Sequence, residues 1–203
     1  MDEGYTSNVT GTEFRFNDKT RSYRISGTAA LSQQYYSDQD NVYGYKYNLE
    51  AGRCSGTWQY SYSRSLVSDD YNQNDLGYLR RNNEYSDSLS LSHNIYSPFW
   101  ILNSLNQEVS LTRSAVFSSN QLASFTLDYS MRMLFRDRFM LSLEFTAYPG
   151  RQRDFYEPRV SGRFFDTHAA FSASVGISSN YRNPIYVDGN LTYTKNRVVD
   201  GQA

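Results

Sequence analysis

The chain has 203 residues but only one cysteine, two histidines and four prolines, and each scarcity removes a class of reading. Cys54 alone cannot close an internal disulfide and has no companion at metal-ligand spacing, so it reads as a structural residue in a strand. His93 and His168 lack a neighbouring cysteine or carboxylate cluster and read as lone polar or interfacial side chains, with no metal site between them. Charge of one sign is also missing: 20 Lys and Arg face 21 Asp and Glu, and the cations are scattered singly. A nucleic-acid partner would need them gathered in a patch, so none is expected. No apolar run approaches eighteen residues, which rules out a transmembrane helix but not a spanning strand, whose signal is weak per segment. The first ten residues hold no apolar signal-peptide core. There is no Gly-rich phosphate loop, nucleophile elbow or Ser-His-Asp arrangement, so no catalytic residue and no cofactor is assigned.

What the chain does have is aromatic side chains and a strict period of two. Mean hydropathy is -0.68, polar for a folded domain, yet aromatics make up 16% through 19 Tyr and 12 Phe, against the trend of disordered chains. Between Gln121 and Phe135 the positions Ala123, Phe125, Leu127, Tyr129, Met131, Met133 and Phe135 alternate with Ser124, Thr126, Asp128, Ser130 and Arg132. Such a strand has one apolar and one polar face. At a rise of about 3.3 Å per residue it is long enough to cross a tilted bilayer, which takes ~9–11 residues. Comparable segments run over 11–17, 22–34, 41–53, 57–67, 84–96, 104–117, 138–148, 163–180 and 184–196. Pro98, Pro149, Pro158 and Pro184 all fall at strand ends or in connections. The expected fold is all-β: an antiparallel up-and-down transmembrane β-barrel or partial barrel of about ten strands. One barrel segment over 1–203, truncated at both ends, is the expected domain organisation.

The connections near 17–20, 53–56, 136–137 and 180–183 are expected to be tight, whereas those over 68–83 and 149–162 are long. Short turns on one rim and long loops on the other are a habit of outer-membrane barrels. In the first long loop Tyr71, Asp75, Tyr78, Arg80 and Arg81 are candidates for holding a polar ligand such as a glycan, the tyrosines by stacking on sugar rings. The structural reading is a loop that folds on itself through its Asn and Asp turns. In the second, Glu157 and Arg159 are read as a structural rim pair, worth ~0–1 kcal/mol. Among polar-face charges, Arg24, Glu108, Asp128, Arg132 and Glu144 are expected to form a network lining or filling the lumen. Lys46, Glu50 and Asp188 share that face. Glycosidase chemistry would need two carboxylates about 5–10 Å apart, and spacing singles out no such pair.

Three segments in order, Ser65–Asn83, Asn94–Trp100 and Asp154–Val160, resemble a family of large bacterial outer-membrane proteins. In these an N-terminal domain like carbohydrate-binding-module family nine precedes a C-terminal β-barrel domain of undefined function. The resemblance covers roughly 10–197 and implies residence in the bacterial outer membrane, with membrane lipid and a glycan as partners. The carbohydrate-binding domain is absent from this sequence, and the last residues lack the terminal aromatic common to such barrels. The leading expectation is therefore a non-enzymatic barrel segment acting as membrane anchor or solute passage. The alternatives are a soluble β-sandwich that binds carbohydrate on its tyrosines, and part of a glycan-degrading enzyme using Glu157 or Asp75.

Overall fold

Period-two patterning becomes one long ladder. In the computed structural model, which describes residues 5–79, 81–155, 157–158, 160 and 163–195, the strands are β1 (Tyr5–Asn17), β2 (Tyr23–Tyr36), β3 (Val42–Arg53), β4 (Trp58–Val67), β5 (Glu84–Ile95) and β6 (Leu102–Val116), followed by β7 (Leu122–Phe135), β8 (Met140–Tyr148), β9 (Gln152–Asp154), β10 (Phe165–Thr167), β11 (Ala170–Ser178) and β12 (Asp188–Lys195). No helix is present among the described residues. Ten of the strands form a single antiparallel sheet in the order β1-β2-β3-β4-β5-β6-β7-β8-β11-β12, and β9 and β10 make a separate two-stranded hairpin.

Register places each apolar set on one face. Phe16, Ile25, Ala51, Tyr62, Leu89, Leu111, Leu127, Ala147 and Phe171 are successive cross-strand partners, an unbroken apolar row. One residue over, Arg24, Gly52, Ser61, Ser90, Ser110, Asp128, Thr146, Ser172 and Thr194 make the corresponding polar row. Because strand side chains alternate faces, a slip of one residue anywhere would mix the two rows, and that penalty pins the register.

Among the described residues no second layer covers the apolar face. Phe16 is 68% exposed, Ile25 55%, Leu89 53% and Trp58 51%. The buried apolar cluster is small, Leu66, Tyr85 and Ala115 with Tyr47 and Phe117 against it. A sandwich would have packed a second sheet about 10 Å above these residues, and the only other sheet among the described residues is the two-stranded β9–β10.

Several expectations need correction. The sheet does not close: β1 and β12 each pair on one side only. The segment expected over 163–180 is two strands, β10 and β11, interrupted at 168–169, and only the second joins the large sheet. Ala169 therefore lies outside any strand. The last strand begins at Asp188 rather than 184, leaving Ile185 and Val187 in a connection over 179–187 that is longer than a tight turn. At the other end β1 starts at Tyr5, six residues ahead of the expected 11, because Thr, Ser and Asn dominate there and blur the alternation. Cys54 sits just past β3, its thiol facing the carbonyls of Arg21 and Ser22 at 3.4 and 3.6 Å. The long connections 68–83 and 149–169 lie on the same rim, as the alternation of antiparallel strands requires.

Candidate functional site

The middle of the polar face is a lattice of small hydroxyl side chains. Ser61 and Ser90 are 2.8 Å apart, Ser88 and Thr112 3.1 Å, Ser174 and Thr192 2.9 Å, and Thr146 donates to Asp128 at 2.7 Å. Cross-strand hydroxyl pairs of this kind each stabilise a sheet modestly while keeping its surface low and wettable.

Over this face, at the long-loop rim, folds the connection 68–83. Ser68 extends the β3–β4 ladder: its amide donates to Tyr45 O at 2.9 Å and its hydroxyl accepts from Tyr45 N at 2.9 Å. The chain then turns across β3 and β2. Gly44 makes this possible, since a Cβ there would lie 2.2 Å from the backbone of Tyr71. The Asn72 amide donates to Ser32 Oγ at 3.1 Å, and Lys46 donates to Gln73 Oε1 at 2.6 Å while its Nζ stands 4.9 Å from the centre of the Tyr71 ring. Tyr71 also donates its hydroxyl to Gln73 Oε1 at 2.9 Å. The tip reaches β1, where Tyr5 donates its hydroxyl to the Asp75 carboxylate at 2.9–3.0 Å. A loop leaving β4 is thus tied to β3, β2 and β1 in turn.

Of the loop residues expected to meet a ligand, Tyr71 is wholly buried, its ring facing Lys46 and its backbone lying on Gly44 rather than meeting solvent. Asp75 is engaged by Tyr5. Tyr78 alone offers an open aromatic surface, 84% exposed. Arg81 lines a cleft of about 330 Å³ with Asp69, Asp70, Asn72, Asn74 and Gln34. Arg80 lies outside the described residues.

The expected lumen charges do share the polar face, in two groups rather than one network. Arg24 pairs with Glu50 at 3.4 Å, a half-exposed contact worth about 0–1 kcal/mol. Glu108, Arg132 and Glu144 line a second cleft of about 190 Å³ further along β6, β7 and β8, while Asp128 is held by Thr146.

The family described as "Domain of unknown function (DUF5916)" matches residues 1–202. The chain belongs to the DUF5916 family. No curated protein and no solved structure matches it. The DUF5916 sheet carries two further arrangements on the same rim as the inward loop. In the hairpin β9–β10, Arg151 and Arg153 approach Asp166 at 3.9 and 3.6 Å, and Arg153 stacks over Phe164. Gln152 accepts from the Phe125 amide at 2.9 Å, which fastens the hairpin beside β7 beyond the end of β8. Gln152 and His168 line a third cleft, of about 520 Å³, with Arg81 and Glu84. Glu157 bonds through its own amide to Asp154 at 3.1 Å, and its expected partner Arg159 lies outside the described residues.

The second arrangement, Arg64, Asp87 and Arg113, lies on the apolar face and was not singled out by sequence reasoning. Its signal was available: each residue interrupts an apolar alternation, Tyr62-x-Arg64-x-Leu66, Tyr85-x-Asp87-x-Leu89 and Leu111-x-Arg113-x-Ala115. Only the register shows that the three interruptions are neighbours.

Proposed function

We propose that the chain forms part of the wall of a bacterial outer-membrane β-barrel, non-enzymatic, serving as membrane anchor or solute passage in a protein that handles glycans. The observation that carries this reading is the inverted polarity of an uncovered ten-stranded sheet. Large apolar side chains stand exposed on one face while hydroxyls, amides and charges fill the other. A contiguous apolar surface this wide is foreign to soluble monomers and suits contact with lipid. The hydroxyl-lined face suits water, and the loop pinned across β3, β2 and β1 would narrow the interior behind it, as plugging loops do in barrels of this class. The amides and carboxylates around Asp69, Asp70, Asn72 and Asn74 suit the hydroxyls of a sugar.

Thiol accessibility tests the reading. In a Cys54→Ser background reconstituted in lipid vesicles, single cysteines at Ser88, Ser90 and Ser92 are expected to react with a charged, water-soluble maleimide, and cysteines at Leu89 and Leu91 to be protected. Equal labelling at all five positions would remove the membrane assignment.

A further inference from the structure

On the apolar face three neighbouring strands break their alternation at one level. Arg64 on β4 stands opposite Asp87 on β5, which stands opposite Arg113 on β6. Arg64 Nε lies 3.4 Å and Arg113 Nη1 3.9 Å from the two oxygens of Asp87, and Tyr62 donates its hydroxyl to Asp87 at 2.6 Å. Two guanidinium groups and one carboxylate leave a net positive charge among the apolar neighbours Tyr62, Leu66, Leu89 and Leu111.

The two arginines lean toward the long-loop rim. Their guanidinium carbons stand 5.2 and 5.4 Å from the ring centre of Tyr85, which lies two residues nearer that rim along β5. Arg113 Nη1 donates to the Tyr85 hydroxyl at 2.8 Å, and that hydroxyl in turn donates to Asn120 in the turn 117–121. Long cationic side chains on a lipid-facing surface behave in this way, laying their stems along apolar surface and carrying their charge to the interface.

We propose that Arg64 and Arg113 form a binding site for the phosphate of an anionic membrane-lipid headgroup. The inference rests on the membrane reading above. Each guanidinium has five N–H donors and matches phosphate oxygens in a fork, whereas Asp87, at 3.4 and 3.9 Å, is near enough for an ion pair but accepts no hydrogen bond from either. Arg64 Nε is buried and, despite its closeness to Asp87, makes no hydrogen bond. The two side chains remain 41% and 40% exposed, open to a headgroup from the lipid side. Among the described residues no second carboxylate pairs with either arginine. Asp87 and Tyr85 act here as positioning residues that hold the forks apart and at the rim.

The test uses the whole chain folded in vesicles of phosphatidylcholine alone or doped with phosphatidylglycerol, with retained lipids identified by native mass spectrometry after extraction into detergent. The wild type is expected to retain phosphatidylglycerol over phosphatidylcholine by about fivefold, the value of one net charge at a membrane surface. The double variant Arg64→Gln/Arg113→Gln is expected to lose that preference while still inserting into phosphatidylcholine. Arg15→Gln, which removes a cation from the polar face, is expected to keep it. Preference unchanged in the double variant, or lost equally in Arg15→Gln, would overturn the site and leave the membrane reading standing. Failure of the double variant, but not of the wild type, to insert into phosphatidylcholine would show that the two arginines support the fold and would overturn the site. Inorganic phosphate is the second arm: it is expected not to displace the retained lipid, because acyl chains on the apolar face add to the contact, and displacement would show a site for free phosphate instead.

Discussion

At the scale of single residues, the turn between β1 and β2 shows how one carboxylate can organise a connection. Asp18 accepts from the Thr20 hydroxyl, from the Tyr23 amide at 2.8 Å and from the Thr20 amide at 3.3 Å, while the Arg21 amide donates to its carbonyl at 3.0 Å. This satisfies donors that a five-residue turn would otherwise leave to water and lets Arg21 take a positive φ of 56°. The hydrogen bond from the Thr20 hydroxyl, followed by that from the Tyr23 amide, holds the Asp18 carboxyl below the usual carboxylate range. A depressed folded-state pKa means stability that is present above the unfolded value and lost as pH falls through the folded one. Asp18→Asn is therefore expected to lower the thermal midpoint at neutral pH, and the difference from wild type to shrink below about pH 4. A pH-independent gap between the two proteins would refute the carboxylate's role.

At the scale of elements, the inward loop depends on a few anchors that no local pattern marks. Lys46 is the strongest of these, through its charged hydrogen bond to Gln73 and its position over the Tyr71 ring. Such a bond contributes roughly 1.5–3 kcal/mol and the ring contact roughly 0.5–2 kcal/mol, partly offset by the cost of ordering the lysine. Lys46→Met is expected to free the loop without disturbing β3, raising hydrogen exchange of the amides from Tyr71 to Gly77 by roughly ten- to a hundredfold. Exchange that rises equally in β3 would mean that the lysine supports the sheet and not the loop. Strands and their faces were legible in the sequence because the period of two is local, and Phe125, Leu127 and Tyr129 announce it within five residues. The loop's course was not legible. Nothing near Tyr71 says that its backbone will lie on Gly44, because that contact depends on which strand lies next to β4 and on how the rim aligns. The same holds for Arg64, Asp87 and Arg113: three interruptions separated in sequence become one cluster only after register is fixed. The β9–β10 hairpin was missed for a different reason. Phe165-Asp166-Thr167 continues the alternation of β11 well enough to read as one strand, and the break at 168–169 has no proline or glycine to mark it.

At the scale of the whole molecule, two features make opposite demands on the environment. The apolar face wants lipid, yet an open sheet in hydrocarbon would leave the outer backbone groups of β1 and β12 without partners, at several kcal/mol for each group. On the membrane reading those edges must therefore be met by further strands, while the faces of the inner strands are already suited to a bilayer wall as they stand. Trp58 allows the inner part to be tested apart from the edges. It opens β4 at the short-turn rim, half exposed on the apolar face, with its ring 4.4 Å from that of His93. Trp100 sits in the 96–101 connection of the same rim, so Trp100→Phe leaves a single reporter. Amphipathic rings prefer the headgroup level, and Trp58 in vesicles is expected to be quenched more by lipids brominated near the carbonyl than by lipids brominated at mid-chain. Its emission is also expected to move to shorter wavelength on passing from denaturant into vesicles. An emission that stays at the aqueous wavelength, or that ignores both brominated lipids, would place the face of β4 in water. The apolar row through Tyr62 and Leu89 would then need a protein partner rather than a membrane.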